Sequence, residues 1–254
     1  MAHSHVTVDG ISIGYRFTES ASDEALEHAL ELLSSDETDR YNRLRSPRQR
    51  RDYAFAHALL RTELSRHVDR DPCSWDFATG CHGKPHLVCS SKVSFNLSHA
   101  NGIVACVVGV GADVGIDVEK IERTLDIDPI VERYFSPVEL AWLRLADTEQ
   151  RVTRFYELWT LKEAFVKCTG AGLRDLHESG TFEVSPDGVI HFRAPVSRAL
   201  EQWQYAVFAP GSLYRLAVAV NSEQVRTGGL TARLYGGVAE STIAPILNSR
   251  DPDK

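Results

Sequence analysis

Helix-forming sequence followed by strand-forming sequence occurs twice in this chain, in the same order, and that repetition points to a fold built from two similar halves. In the first round, residues 34–67 predict two helices broken near Ser46 and Pro47. Ser35 is the expected cap of the first, and Tyr53, Ala56, Leu60 and Leu64 fall at helical spacing in the second. A loop rich in Gly, Pro and His runs to Val88. Two apolar runs, Val93 to Leu97 and Ile103 to Val110, then flank the polar Ser98-His99-Ala100-Asn101-Gly102 and predict a hairpin, with a further strand from Val114 to Glu119. In the second round, Ser136-Pro137 opens a helix, and residues 151–173 give a longer one ending at Gly170 or Gly172. Strands are expected at 180–184, 189–193, 203–208 and 213–220. Laying Ser35 on Ser136 without gaps pairs Arg43 with Arg144, Leu44 with Leu145, Gln49 with Gln150, Arg50 with Arg151 and Leu60 with Leu161.

The expected fold is therefore α+β: two pseudo-symmetric similar halves, each a small antiparallel sheet packed on helices, with the active site in the cleft between them. The halves are expected at 1–112 and 113–222, and the polar, glycine-containing stretch 223–254 as a flexible tail. A chain of 254 residues, 43% of them hydrophobic, can bury a core of that size.

A formal net charge of −7 argues against bulk attraction to nucleic acid. The opening MAHSHVTVDG carries no positive flank followed by an apolar run, and no stretch reaches the length of a membrane span, so a cytoplasmic location is expected. Cys73, Cys81, Cys89, Cys106 and Cys168 are dispersed and odd in number, which suits reduced thiols. Cys81, His82, His86 and Cys89 lack the C-x2-C pair of a zinc site and read as loop composition.

The run VGIDVEK at 114–120 carries the chemistry. Strand side chains alternate, so Val114, Ile116 and Val118 point one way and Gly115, Asp117 and Glu119 the other. One face anchors the strand, and the opposite face offers two neighbouring carboxylates, with Gly115 expected to leave room beside them. Like charges so placed repel unless a cation lies between them, and oxygen ligands of this kind suit Mg2+ with a substrate phosphate. On the helix that follows, Phe155, Leu158, Trp159, Lys162, Phe165 and Val166 form a core face in which Lys162 is the charged member. A lysine there needs an anionic partner, and the carboxylate cluster is the expected one. Glu163 and Lys167, four residues apart, share an adjoining stripe with Trp159.

The combination of Gly115-Ile116-Asp117-Val118-Glu119 with Trp159-Thr160-Leu161-Lys162-Glu163-Ala164-Phe165-Val166-Lys167 resembles the paired signature of the 4'-phosphopantetheinyl transferases of the Sfp type. Gly83-Lys84-Pro85, Phe95-Asn96-Leu97-Ser98-His99 and Phe135-Ser136-Pro137-Val138-Glu139 match that family's other motifs, in its order. The resemblance implies an enzyme that moves the 4'-phosphopantetheine arm of coenzyme A onto a serine of an apo acyl or peptidyl carrier protein, leaving 3',5'-ADP. It implies Mg2+ held by Asp117, Glu119 and Glu163, and coenzyme A contacts from Arg40, Lys84, Ser98, His99 and Lys167. Glu139 or Glu163 is then the expected base, and Lys167 the group that stabilises the leaving diphosphate oxygen. The first half would supply nucleotide and phosphate contacts, the second the Mg2+ carboxylates and catalytic helix.

Six arginines between Arg40 and Arg51 offer either a solvated helix face or a clamp for the coenzyme A 3'-phosphate. His57 stands where many relatives carry an arginine. The length resembles that of the monomeric members, whose carrier partners serve fatty acid, polyketide or nonribosomal peptide synthesis. Two other classes share parts of this pattern: a two-carboxylate nuclease or phosphatase, disfavoured by charge and motif order, and a protein that binds carrier domains or coenzyme A without chemistry.

Overall fold

A computed structural model describes residues 10–79, 85–88, 92–171, 176, 180–198, 202–222, 232–235 and 241–249. The first sheet-forming segment, β1 (Ile11–Phe17), precedes three helices: α1 (Asp23–Glu31), α2 (Ser35–Arg43) and α3 (Pro47–His67). Short strands β2 (Phe77–Thr79) and β3 (Pro85–Leu87) lead to β4 (Val93–Ala100), β5 (Ile103–Val110) and β6 (Asp113–Lys120). Helices α4 (Asp128–Tyr134), α5 (Pro137–Arg144) and α6 (Thr148–Thr169) follow, then β7 (Thr181–Val184), β8 (Val189–Arg193), β9 (Trp203–Phe208) and β10 (Tyr214–Asn221). Strands β11 (Ala232–Leu234), β12 (Ser241–Ile243) and β13 (Leu247–Ser249) complete the described residues.

The helix ends follow local chemistry. Ser34, one residue before the expected cap, starts α2, because Glu37 three residues on reaches back to its amide and closes a capping box. Ser46 caps α3 with Pro47 in the first turn, Ser136 caps α5 with Pro137 in the first turn, and Gly170 ends α6 in the left-handed conformation at φ 71°. The β4–β5 hairpin turns at Asn101-Gly102 alone, with Gly102 at φ 88°. Ser98, His99 and Ala100, expected in the connection, are therefore strand residues, because an Asn-Gly pair suffices for a two-residue turn.

Two large sheets are formed among the described residues, ordered β12-β11-β1-β5-β4 and β6-β10-β9-β13-β8-β7, and β2 pairs with β3 in a separate two-stranded sheet. Pairing is antiparallel except for β1 with β11 and β8 with β13. The stretch after Asn221, expected to be a loose tail, thus contributes strands to both sheets. Ala232 is buried beside β1, and Ser249 accepts a hydrogen bond from the Tyr205 amide. Backbone pairing offsets the weak apolar content of these short strands.

The sheets pack face to face, and helices cover their outer faces. Ile103, Ala105 and Val107 of β5 meet Val114, Ile116 and Val118 of β6 and Leu216, Val218 and Val220 of β10 in one apolar layer. The alternate residues of β5, Val104 and Cys106, face α3, while Ala217 and Ala219 of β10 face α6. Consecutive strands β5 and β6 belong to different sheets, so the chain passes from one to the other at Gly111-Ala112. Asp117 and Glu119 consequently lie on the face of β6 that receives α6.

Candidate active site

Gly115 sets how closely α6 approaches. A side-chain carbon there would press into the Ala164 carbonyl oxygen and the Cys168 amide, and would lie 2.9 Å from the Cys168 Cα. The room beside the carboxylates that the sequence suggested is filled by helix backbone, which brings Glu163 and Lys167 down to β6.

Asp117 is the centre of the arrangement and is only 4% exposed. Its Oδ1 accepts hydrogen bonds from Ser98 Oγ at 2.9 Å and from Lys167 Nζ at 2.7 Å. The Ser98 hydroxyl also accepts from Val118 N at 3.2 Å and from Lys167 Nζ at 3.0 Å, so its one proton and both lone pairs are engaged. Asp117 Oδ2, by contrast, is buried and has no hydrogen-bond partner among the described residues. Ser98 belongs to the first sheet, Asp117 to the second and Lys167 to α6, so the group spans the junction between the halves.

Glu119 and Glu163 crowd the same place. Burial pushes the Glu119 carboxyl up to about 7, and Asp117 adds to the effect; Lys167 and a hydrogen bond from Trp159 oppose it. Burial likewise pushes Glu163 up to about 7, again reinforced by Asp117 and opposed by Lys167. Three carboxyl groups thus share one ammonium, that of Lys167, which is 28% exposed. A divalent cation fits by three criteria: hard oxygen donors, surplus negative charge and an orphaned buried oxygen on Asp117. Among the described residues, no three His, Cys, Asp or Glu side chains are already closed into a metal cage.

Glu139, expected as a candidate base, sits elsewhere in the molecule's chemistry. It is fully buried; its Oε2 accepts from Ser136 N at 2.7 Å and its Oε1 from Phe182 N at 3.0 Å, with Lys162 Nζ 3.2 Å away. Held by three donors and closed to solvent, the carboxylate faces Ser136, Phe182 and Lys162 rather than the Asp117 centre. Lys162 is corrected with it: its anionic partner is Glu139 of α5, not the Asp117 cluster, and it also donates to Gly180 O at 3.3 Å. Burial lowers the Lys162 ammonium from its usual range, and Glu139 opposes that shift.

The expected coenzyme A contacts are distributed unevenly. His99 is exposed, beside Ser98 but on the opposite face of β4; its charge is felt at Asp52, whose carboxyl burial pushes up against the Thr18 hydrogen bond, Arg48 and His99. Arg40 is exposed on α2, its guanidinium 5.8 Å above the Tyr53 ring. Lys84 lies outside the described residues. Of the remaining arginines in that run, Arg51 donates to the Thr18 and Ala21 carbonyls, Arg50 to the Leu44 carbonyl, and Arg48 pairs with Glu19. Arg43 and Arg45 are exposed. His57 is turned toward Glu37, Nδ1 to Oε1 2.8 Å, with Arg61 on the other Glu37 oxygen.

Two contributors were missed in the sequence. Helical spacing puts Trp159 on the stripe of Glu163 and Lys167 but gives no sign of its hydrogen bond to Glu119 on β6. Asn96 accepts from the Ile116 amide at 3.0 Å, a contact for which only its place in a polar-apolar alternation gave a signal.

Residues 113–219, which include β6, α6 and β10, match the family model of the 4'-phosphopantetheinyl transferase superfamily. The chain is 36% identical over 149 residues to the 4'-phosphopantetheinyl transferase HetI of Nostoc sp., covering 58% of this chain and 63% of that protein. It is 33% identical over 138 residues to a 4'-phosphopantetheinyl transferase of Bacillus subtilis, covering 54% and 60%. With the 4'-phosphopantetheinyl transferase Sfp of Bacillus subtilis it shares 28% over 178 residues, covering 70% and 78%. The matched segments thus span 63% of the first of these relatives and 60% of the second. A solved structure of a Chronobacterium ammoniagenes ACPS-CoA complex overlays with a TM-score of 0.37 at 17% identity, over 43% of this chain and 96% of that one, a likeness too slight to build on. The matched segment holds Asp117, Glu119, Glu163 and Lys167, so the likeness to the 4'-phosphopantetheinyl transferase superfamily is centred on the residues of this site.

Proposed function

We propose that the protein transfers the 4'-phosphopantetheine arm of coenzyme A to a serine of an apo acyl or peptidyl carrier protein, giving the holo form and 3',5'-ADP, in a reaction that requires Mg2+. The observation that carries this reading is the Asp117 centre: one carboxylate oxygen tied to Ser98 and Lys167, the other buried and bare, with Glu119 and Glu163 alongside. Names of relatives agree with it. The transfer forms a bond between the carrier serine oxygen and the phosphorus bearing the pantetheine arm, and breaks the bond from that phosphorus to the 3',5'-ADP oxygen.

Asp117, Glu119 and Glu163 would hold Mg2+, which, when bound, neutralises charge on the diphosphate. Lys167 is partly exposed at the rim of the centre and is the cation of this chain placed to stabilise the leaving oxygen. Glu163 of α6, beside Asp117, is the base favoured here for the carrier serine proton. His99 and Arg40, both exposed on the first half, are available to phosphate groups of coenzyme A, as the bare cations of the arginine-rich stretch are. Residues 1–112 would then supply mainly nucleotide contacts and 113–222 the catalytic carboxylates. A monomer in the cytoplasm is the form proposed; no described helix is long and apolar enough to cross a membrane.

Incubating the protein with an apo carrier domain, coenzyme A and Mg2+ tests the reading by intact-protein mass spectrometry. A Mg2+-dependent gain of one phosphopantetheine arm supports it. Coenzyme A binding with no gain on any carrier type would leave a binding protein instead.

A further inference from the structure

Strands β4 and β6 are the facing edges of the two sheets, yet backbone pairing does not join them. Side chains of β4 do so instead. The Ile116 amide donates to Asn96 Oδ1 at 3.0 Å, the Val118 amide donates to Ser98 Oγ at 3.2 Å, and Ser94 Oγ donates to the Ala112 carbonyl at 2.6 Å. These amides belong to the β6 residues whose backbone groups point away from β10, so they are the edge groups of a buried strand and need acceptors. Asp117 lies between the two captured amides. Ser98 hydrogen-bonds Asp117 directly, whereas Asn96, 8% exposed, hydrogen-bonds the amide of Ile116, the residue before it.

We infer that Asn96 is a positioning residue for the Asp117 centre: its amide oxygen fixes β6 at one side chain's distance from β4, and so sets where the bare Asp117 oxygen lies. The inference rests on the cation reading above. Direct pairing of the two strand edges would close that distance, and the centre sits where it is kept open. A group that orients a ligand without contacting the ion commonly changes affinity by a factor of about 10–100 when removed. Loss of the Asn96 acceptor strands the Ile116 amide in the core and releases β6 on the side where Ser98 does not hold it.

The test is Mn2+ titration of the full chain by calorimetry, paired with amide hydrogen exchange. Asn96→Leu, nearly isosteric but without an acceptor, is expected to weaken Mn2+ binding by about tenfold or more and to speed exchange of the Ile116 amide. Asn96→Asp, which keeps an oxygen at the same place, is expected to stay within about threefold of the parent and keep Ile116 protected. A folded Asn96→Leu protein that binds Mn2+ as the parent does overturns the inference, as does an Asn96→Asp protein as weak as Asn96→Leu. Should Asn96→Leu not fold, Asn96→Ser replaces it, with weakened binding supporting the inference and parental binding overturning it. A parent that binds no Mn2+ removes the cation reading itself, and this inference with it.

Discussion

Lys162 and Glu139 form an ion pair 3.2 Å apart, with side-chain exposures of 1% and 0%, and the pair ties α6 to the first turn of α5. Both residues belong to stretches whose residue types suggest catalysis, yet the pair contributes structure. Removing one partner strands a buried charge, at a cost of about 3–5 kcal/mol. Glu139→Leu should lower stability by about that amount in chemical denaturation, and Glu139→Leu with Lys162→Met should recover part of it. Turnover per folded molecule of Glu139→Gln should change by less than about tenfold, whereas loss of a general base costs about 10²–10⁴-fold.

The raised carboxyls of the centre give a pH dependence of definite sign. Glu119 and Glu163 each titrate at about 7 in the folded protein, above the ordinary 4.5. A carboxyl whose folded value is raised favours folding while protonated, so the cation-free protein should lose stability as pH rises from about 4.5 through about 7. Cation uptake below that pH should expel protons, visible as a dependence of the calorimetric heat on buffer ionisation enthalpy. Uptake without proton release would show that these carboxyls are already ionised.

Glu37 behaves in the opposite sense. Burial raises its carboxyl, but the His57 hydrogen bond and charge, the Ser34 amide and Arg61 outweigh that and hold it at about 2, against an ordinary 4.5. The stabilisation, of order 3 kcal/mol, should be fully present above about 4.5 and disappear as pH falls through about 2. Glu37→Gln should flatten the acid limb of the stability curve measured by urea denaturation.

Gly115→Ala should separate α6 from β6, because the added carbon meets the backbone of Ala164 and Cys168 rather than movable side chains. A destabilisation of about 1–3 kcal/mol is expected, read as a drop in thermal midpoint, together with weaker Mn2+ binding. Parental values for both would mean that the helix can retreat at no expense.

The residues that made the site legible were local ones. Alternation put Asp117 and Glu119 on one face, helical spacing put Glu163 and Lys167 on one stripe, and Ser136, Pro137 and Gly170 marked helix ends, because each signal is written within a few residues. The partner of Lys162 was not legible that way: any nearby carboxylate satisfies the need of a buried ammonium, and only packing selects Glu139 over Asp117. The spacing around Gly115 likewise implied room, which the backbone of α6 occupies. Helix α4, without a side-chain cap hydrogen bond, gave little signal of its own, and the short strands β11 and β13 are specified by parallel pairing with strands far away in the chain.

The most direct test is the rate of phosphopantetheine transfer to an apo carrier domain, followed by intact mass, for the parent and Asp117→Asn side by side at saturating coenzyme A and Mg2+. Asparagine keeps an oxygen for Ser98 and Lys167 but removes the charge from the bare position, so the account predicts a Mg2+-dependent gain for the parent and a loss of at least about 10²-fold for the variant. An Asp117→Asn protein that modifies the carrier at the parental rate would contradict the assignment of Asp117 as the centre of the reaction.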